Sequence, residues 1–406
     1  MANMLTECLI QKILCCLSYK EASKMSILSK TWLQAWSTLP DLEFCLHRGK
    51  CNIKIVDTIM ERYRKGKVPI EKFELSRRSS YDPHKVLPPI PIDNCLDIAL
   101  QNGVKHLVLD CISYSAPILT ILAAKSLRKL VLAYCTLSLA SGVVNQNSLK
   151  KLSLFHVKLD KNMFETLLNS CPLIDTLIFV YCIGLEMVYL RKIKSVYLKV
   201  LKIRDSEGMW EIDAPNLVSF KYTGKQIPEF KIARQLENSK IFLYRLDNIN
   251  ADWFCKLRKF LSKSTGASWS QVSIRFKECT EIKMEHLQQH YKVGATTQVD
   301  VLEVNVLFQY MECSSIVDAL LWSCLPKRLN LQPRLNLFTA FSDRLMYMKN
   351  STIRPWHSQL KEIKAFDENN QLLQLGSEQL TESSLPSWGS ERRGGERAYF
   401  ILDWCS

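Results

Sequence analysis

A chain of 406 residues is long enough for two or three domains or for one long repeat array. It is 47% apolar and 23% charged, ordinary for a folded protein, and its longest apolar run, Ala116 to Ala124, is far too short to span a membrane. Net charge is +14 and the pI near 9.1. Such a balance suits an acidic partner or nucleic acid, yet the basic residues look scattered, as in Arg62, Arg64, Lys65, Lys67 and Arg77, Arg78. Without a run of five or an interleaved aromatic ladder, a solvated basic surface is expected and nucleic-acid binding is disfavoured. The first residues lack a basic start, an apolar segment and a cleavage site, so no secretory signal is expected. The 15 cysteines are then expected as reduced thiols in the cytoplasm or nucleus.

Three short amphipathic helices are predicted in the first forty residues. Leu9, Ile13, Cys16 and Leu17 share one helix face. Ser18-Tyr19-Lys20-Glu21 reads as a capping box that starts a second helix with Ala22, Met25 and Leu28 on one side. Trp32 and Trp36 stand at i, i+4 on a third. So short a module buries little surface by itself and calls for a partner. The ordered string Leu5, Leu9, Ile13, Leu14, Leu17, then Ile27-Leu28-Ser29-Lys30-Thr31-Trp32 and Trp36, resembles the F-box. Thr6 stands where that family carries a proline; a threonine can offer an N-cap oxygen in its place.

Next, Ile70-x-x-Phe73-x-Leu75 reads as a degenerate first repeat, with the polar, proline-rich stretch Ser76 to Pro91 as a surface insertion in it. Asp93 to Gln101 follows as a helix closed by Asn102-Gly103. Then a period emerges. Leu127-x-x-Leu130-x-Leu132-x-x-Cys135-x-Leu137 fits the leucine-rich-repeat template throughout, and Leu149 to Leu159 and Ile174 to Cys182 repeat it. Val104-x-x-Leu107-x-Leu109, Leu198-x-x-Leu201-x-Ile203 and Leu217-x-x-Phe220-x-Tyr222 extend it on both sides. The central leucines, at 107, 130, 152, 177 and 201, are 22 to 25 residues apart. Each LxL pair aims two apolar side chains inward from a short strand, and stacking buries them in an irregular solenoid. Cys135 and Cys182 fill the turn slot, Cys111 and Cys171 lie in neighbouring turns, and all four are expected to be buried structural thiols.

Past Thr223 the period fades. Ala251 to Ser264 is predicted as an amphipathic helix, Val272 to Phe276 and Val301 to Val306 as strands, and Ser315 to Leu325 as a helix holding Trp322, with Pro326 at its exit. Thr381 to Arg397 is polar and Gly/Ser/Arg-rich and is predicted as a loop. Trp356-His357-x-x-Leu360-Lys361-Glu362-Ile363-Lys364 and Tyr399 to Trp404 resemble the C-terminal segment of plant F-box/leucine-rich-repeat proteins of the FBD type.

Motifs for chemistry are wanting. No CxxC pair occurs, Cys45-Leu46-His47 with Cys51 lacks the second pair that zinc requires, and His286 and His290 lack the neighbouring glutamate of a metalloprotease. There is no G-x-S-x-G, P-loop or GxGxxG, and no cofactor or metal is expected. Cys255, Cys279, Cys313 and Cys324 carry no signature of a catalytic thiol. The expected fold class is therefore an α/β repeat: an N-terminal three-helix F-box, then an irregular leucine-rich-repeat solenoid. The expected domains are 1–45 F-box, 46–103 connector and first repeat, 104–225 leucine-rich repeats, 226–350 irregular continuation and 351–406 FBD-like segment.

The resemblance implies a non-catalytic substrate receptor of a Skp–cullin–F-box ubiquitin ligase. Its partners would be a Skp-type adaptor, through it the cullin and RING subunits, and a protein target of unknown identity. Leu5, Leu9, Ile13, Leu14, Leu17, Ile27, Leu28 and Trp32 would face or support the adaptor, while Trp36 packs the module against the first repeat. Two alternatives stay open: a repeat scaffold with a decayed F-box, and a basic repeat protein that binds nucleic acid.

Overall fold

The computed structural model describes residues 6–46, 53–77, 92–112, 114–138, 148–184, 190–206, 208–231, 236–263, 269–279, 282, 284–289, 296–306, 314–331, 341–342, 344–345, 359–366, 370–373 and 398–405. The chain forms two compact units, Met1–Arg191 with Ser206–Gly208, and Lys192–Asp205 with Met209–Ser406. Most of the Ser76–Pro91 insertion, the Thr381–Arg397 loop and Leu5 lie outside the described residues.

The first unit opens with α1 (Glu7–Cys15), α2 (Tyr19–Met25) and α3 (Lys30–Ser37). β1 (Asp41–Cys45), α4 (Ile53–Gly66), β2 (Lys72–Arg77), α5 (Asp93–Gln101) and β3 (His106–Cys111) follow. Then come β4 (Ser115–Pro117), α6 (Ile118–Leu122), β5 (Lys129–Ala133), β6 (Thr136–Ser138), β7 (Lys151–Phe155), α7 (Lys161–Asn169) and β8 (Thr176–Val180). Strands β1, β2, β3, β5, β7 and β8 lie side by side in that order, every pair parallel. The period dictates the register: Leu107 is level with Leu130, Leu130 with Leu152, and Leu152 with Leu177. All four are buried, as are Leu109, Leu132, Leu154 and Phe179 one step further along. Each fully buried side chain of this kind contributes about 1.5–3 kcal/mol, which is why a lone repeat cannot stand and a stack can.

The parallel ladder starts earlier than the sequence period suggests, at Asp41, because β1 pairs with β2 over Asp41 to Cys45. Helix α4 was not visible in the repeat template. It arises from Val56, Ile59, Met60 and Tyr63, buried at helical spacing. Asn102 then joins it to α5, its Nδ2 donating to the carbonyls of Tyr63 (3.0 Å) and Val68 (2.7 Å), while Gly103, at φ +80°, ends α5 as expected. The turn thiols are buried: Cys182 Sγ donates to the Leu154 carbonyl (3.5 Å) and Cys111 Sγ to that of Leu75 (3.4 Å). Burial pushes the Cys111, Cys135 and Cys171 thiols up to about 12, so they stay protonated and unreactive.

Strand β9 (Leu190–Lys194) begins in the first unit and ends in the second, which holds β10 (Val200–Arg204), β11 (Met209–Asp213), β12 (Ser219–Gly224), β13 (Glu229–Phe230), β14 (Asn238–Ile249), α8 (Ala251–Leu261), β15 (Trp269–Cys279), α9 (Met284–Gln289) and β16 (Thr297–Val306). The second unit ends with α10 (Ser314–Ser323), β17 (Cys324–Leu331), β18 (Leu360–Phe366), β19 (Leu372–Leu373) and β20 (Ala398–Trp404). Strands β10, β12, β14, β15, β16 and β17 continue the parallel pattern. Larger helices now return the chain between strands. Asn250 caps α8 by accepting from the Trp253 amide at 3.0 Å, and Phe254, Leu257, Phe260 and Leu261 fill its inner face.

Here α8 stops at Leu261, short of Ser264, and β15 and β16 are longer than expected; the end of α10 differs in kind. The helix predicted over Ser315 to Leu325 stops at Ser323, and Cys324, Leu325 and Pro326 are strand. Pro326 keeps its carbonyl, which accepts a 2.7 Å bond from Trp404 Nε1. After β17 the ladder reverses: β20 pairs antiparallel with β17, and β18 antiparallel with β20. The FBD-like segment thus closes the open edge of the last parallel strand.

Candidate functional site

The N-terminal helices share a small core of Ile10, Leu14, Ala22, Ala35 and Leu39, with Tyr19, Met25, Trp32 and Trp36 packed around it. Their termini are fixed locally. Ser18 accepts from the Glu21 amide (3.3 Å) while the Ser18 amide donates to Glu21 Oε2 (3.0 Å), the reciprocal pair expected of a capping box. Ser29 caps α3 with its hydroxyl alone, accepting from the Trp32 amide at 3.3 Å. Thr6 departs from expectation. Its backbone takes the N-cap conformation and its carbonyl accepts from Leu9 and Ile10, but its hydroxyl makes no capping bond. Its φ of −62° is already the angle a proline ring would impose. Thr6→Pro is therefore expected to raise stability by about 0.5 kcal/mol through the unfolded chain, seen as a higher melting temperature.

The helix face anticipated from Leu9, Ile13, Cys16 and Leu17 is real and points outward. Ile10 and Leu14 hold α1 to the core, Leu14 being 1% exposed, whereas Leu9 is 45% exposed and Ile13 and Leu17 are similarly bare. Ile27, at 85%, and Leu28 lie beyond the end of α2 and are open to solvent, as is Leu33 on α3. Trp32 is half-buried against the core. The structure thus separates the named residues into a bare apolar set (Leu9, Ile13, Leu17, Ile27, Leu28) and a supporting pair (Leu14, Trp32).

Trp36 sits where packing against the first repeat requires. Its ring lies 5.9 Å from Tyr19, Tyr19 lies 5.3 Å from Phe44 on β1, and Phe44 lies 6.1 Å from Phe73 on β2. Tyr63 of α4 donates its hydroxyl to the Leu39 carbonyl at 2.7 Å, and burial raises its pKa. The helices are therefore mounted on the ladder through aromatic contacts and a buried hydrogen bond. Bonds from Ser18 to its carboxylate hold the Glu21 pKa below the usual range. A depressed carboxylate stabilises above its ordinary value of 4.5 and loses that contribution as pH falls through the folded value. Accordingly, the melting-temperature gap between wild type and Glu21→Gln is expected to narrow as a titration passes below that value, and a constant gap would show that the box is not electrostatic.

Cys45 and Cys255, singled out for possible chemistry, are exposed and half-buried, and Cys324 is buried with its thiol pushed up to about 12. His286 is exposed on α9, while His47, Cys51 and His290 lie outside the described residues. Among the described residues no cluster of three or more His, Cys, Asp or Glu could hold a metal, and no helix is long and apolar enough to cross a membrane.

A helical module with a bare leucine stripe, joined to a ladder of parallel LxL strands, defines an F-box followed by a leucine-rich-repeat domain. Comparison with known families agrees: residues 3–44 match the F-box domain, and residues 59–308 match the At1g61320/AtMIF1 LRR domain. The chain belongs to the F-box/LRR-repeat family, whose members are generally non-catalytic adaptor proteins. Among similar Arabidopsis thaliana proteins, F-box/FBD/LRR-repeat protein At1g13570 is 31% identical over 44% of this chain and 43% of its own length. F-box/LRR-repeat protein At3g03360 is 28% identical over 47% and 40%, and F-box protein At3g59000 is 30% identical over 59% and 52%. The chain spans about half the length of the relatives it matches.

Proposed function

We propose that this chain is the substrate-recognition subunit of a Skp–cullin–F-box ubiquitin ligase. Its F-box takes a Skp-type adaptor, and through it the cullin and RING subunits; its repeats hold a protein target. The receptor breaks no bond. It contributes proximity, turning a bimolecular encounter into a local one at high effective concentration.

One observation carries this reading: Leu9, Ile13, Leu17, Ile27 and Leu28, with Leu33 on α3, are solvent-exposed on a module that has a core of its own in Ile10, Leu14, Ala22, Ala35 and Leu39. An apolar stripe of this kind on a folded helical module is a docking surface in want of a cover. The test is co-purification of the chain with a Skp-type adaptor after joint expression. A stoichiometric complex supports the ligase reading. A chain that is soluble alone and ignores the adaptor supports the scaffold with a decayed F-box, to which the uncapped Thr6 hydroxyl would point. The cytoplasm and the nucleus, where such ligases work on reduced proteins, are the proposed locations.

A further inference from the structure

The repeats gather positive charge that looks dispersed along the chain. Three successive repeats each begin with a basic pair: Lys105-His106, Arg128-Lys129 and Lys150-Lys151. The parallel register sets His106 beside Lys129 and Lys129 beside Lys151. The residues before them follow suit, the Arg128 amide donating to the Lys105 carbonyl (2.8 Å) and the Lys150 amide to that of Arg128 (2.9 Å). Adjacent strands stand about 4.8 Å apart, so six basic residues fall within a patch about 10 Å wide. All six are exposed. Lys105 is paired with Glu71 at 2.7 Å and Arg128 leans on the Ser148 carbonyl at 3.4 Å. His106, Lys129, Lys150 and Lys151 make no ion pair among the described residues. Like charges held side by side across a sheet are destabilising, and nothing in the fold requires them there.

Two further rows lie along the same strands. The next outward row is Val108, Val131, Ser153 and Ile178, again in register, with Val108, Val131 and Ile178 half-buried. At the far ends Tyr134, His156 and Tyr181 stack, with centroids 4.4 and 4.8 Å apart, each on a left-handed backbone.

We propose that the basic patch is where the repeats grip an acidic segment of a protein target. Its carboxylates meet the three basic pairs and its apolar side chains cover Val108, Val131 and Ile178. This rests on the reading of the repeats as a target-binding surface. Charge complementarity selects the acidic partner, and the geometry selects a polypeptide over a nucleic acid. In the repeat before, Glu71 stands beside Lys105, and Lys72, level with His106, is held by Glu74 at 2.8 Å; in the repeat after, Asp175 stands beside Lys150 and Thr176 beside Lys151. That leaves room for about three extended residues but obstructs a continuing phosphate backbone. The stacking aromatics a single strand would need stand five residues further along, about 17 Å from the basic row.

The test uses the full chain, with its adaptor where solubility requires it, and a short fluorescent peptide alternating glutamate and leucine. Binding that weakens with added salt is expected, together with no binding of a lysine–leucine peptide. Lys129→Glu with Lys151→Glu should lower the affinity about tenfold or more, and Lys129→Gln with Lys151→Gln by less. The same reversal at Lys202 and Lys221, which stand in register with Lys240 in the second unit, should leave binding within a factor of two. Circular dichroism checks the fold, and should the reversed pair misfold, the glutamine pair decides. Failure to bind the peptide, unchanged binding in the folded Lys129 and Lys151 variants, loss only with Lys202 and Lys221, or tighter binding of single-stranded oligothymidylate would each overturn the proposal. Adaptor binding, measured on the same samples, tells a failed patch from a failed ligase reading.

Discussion

Leu9→Asp is expected to abolish the complex with a Skp-type adaptor while leaving the melting temperature of the chain almost unchanged. Leu9 is half in water already, so the chain's own fold loses little, within about 0.5 kcal/mol. The complex loses far more. Covering a leucine contributes about 1.5–3 kcal/mol, and an unpaired carboxylate in its place adds a desolvation penalty of comparable or larger size. At 1.4 kcal/mol per factor of ten, affinity should drop by about three orders of magnitude. Leu14→Ala should behave in the opposite way. Leu14 is among the few fully buried residues of the module, and its truncation costs about 2–5 kcal/mol of stability. Adaptor binding would then fail because the helices come apart, with helical signal and melting temperature lost together. Co-purification beside circular dichroism separates the two cases. Were Leu9→Asp to bind normally, or to destabilise as Leu14→Ala does, the bare stripe would not be the docking face.

Truncation before β20 should be the most damaging change in the second unit. β20 buries Phe400, Leu402 and Trp404, Trp404 Nε1 donates to the Pro326 carbonyl at 2.7 Å, and Arg328 stacks at 3.8 Å over Tyr399. Loss of three such side chains removes about 5–9 kcal/mol, comparable to the whole stability of a typical domain. It also uncovers the hydrogen-bonding edge of β17, Cys324–Leu331, whose buried side chains include Leu325, Leu329 and Leu331. A chain ending at residue 397 is expected to collect in the insoluble fraction, whereas Trp404→Phe, which keeps one aromatic ring but loses the indole N–H bond and part of the packing, should remain soluble with a lower melting temperature. Soluble, cooperatively melting truncated protein would show that the ladder tolerates an open end.

What could be read from the chain follows from what physical chemistry writes into it. Stacked repeats need the same inward pair each time, so LxL at a period of 22 to 25 residues announced β3, β5, β7 and β8 with their register. The capping box at Ser18 was legible because both halves of the device are local. By contrast, α4 has no repeat partner and went unseen, and β1 was hidden at the end of the helical module because its pairing to β2 is made 31 residues away. The end of α10 was misplaced since Pro326 reads as a breaker, although a strand can hold it where its missing N–H is not needed. At the candidate site the apolar spacing of α1 was legible, and it was the resemblance to the F-box that turned Leu9, Ile13 and Leu17 toward a partner: period alone cannot tell a face turned to the core from one turned outward. Burial of Ile10 and Leu14 decides it. The basic patch escaped for a related reason, since its members are neighbours only after folding.

The register that brings those basic pairs together also divides labour among the positions of a repeat. The inward leucines bear most of the stability, and the two residues before each LxL and the one between, exposed or half-buried for the most part, bear little of it. A lineage can therefore rewrite the outer face, one repeat at a time, without risking the fold, and the cost of trying a new partner falls to that of a surface substitution. On the proposed reading, that separation lets the cell change what is recognised while keeping the machinery that acts on it.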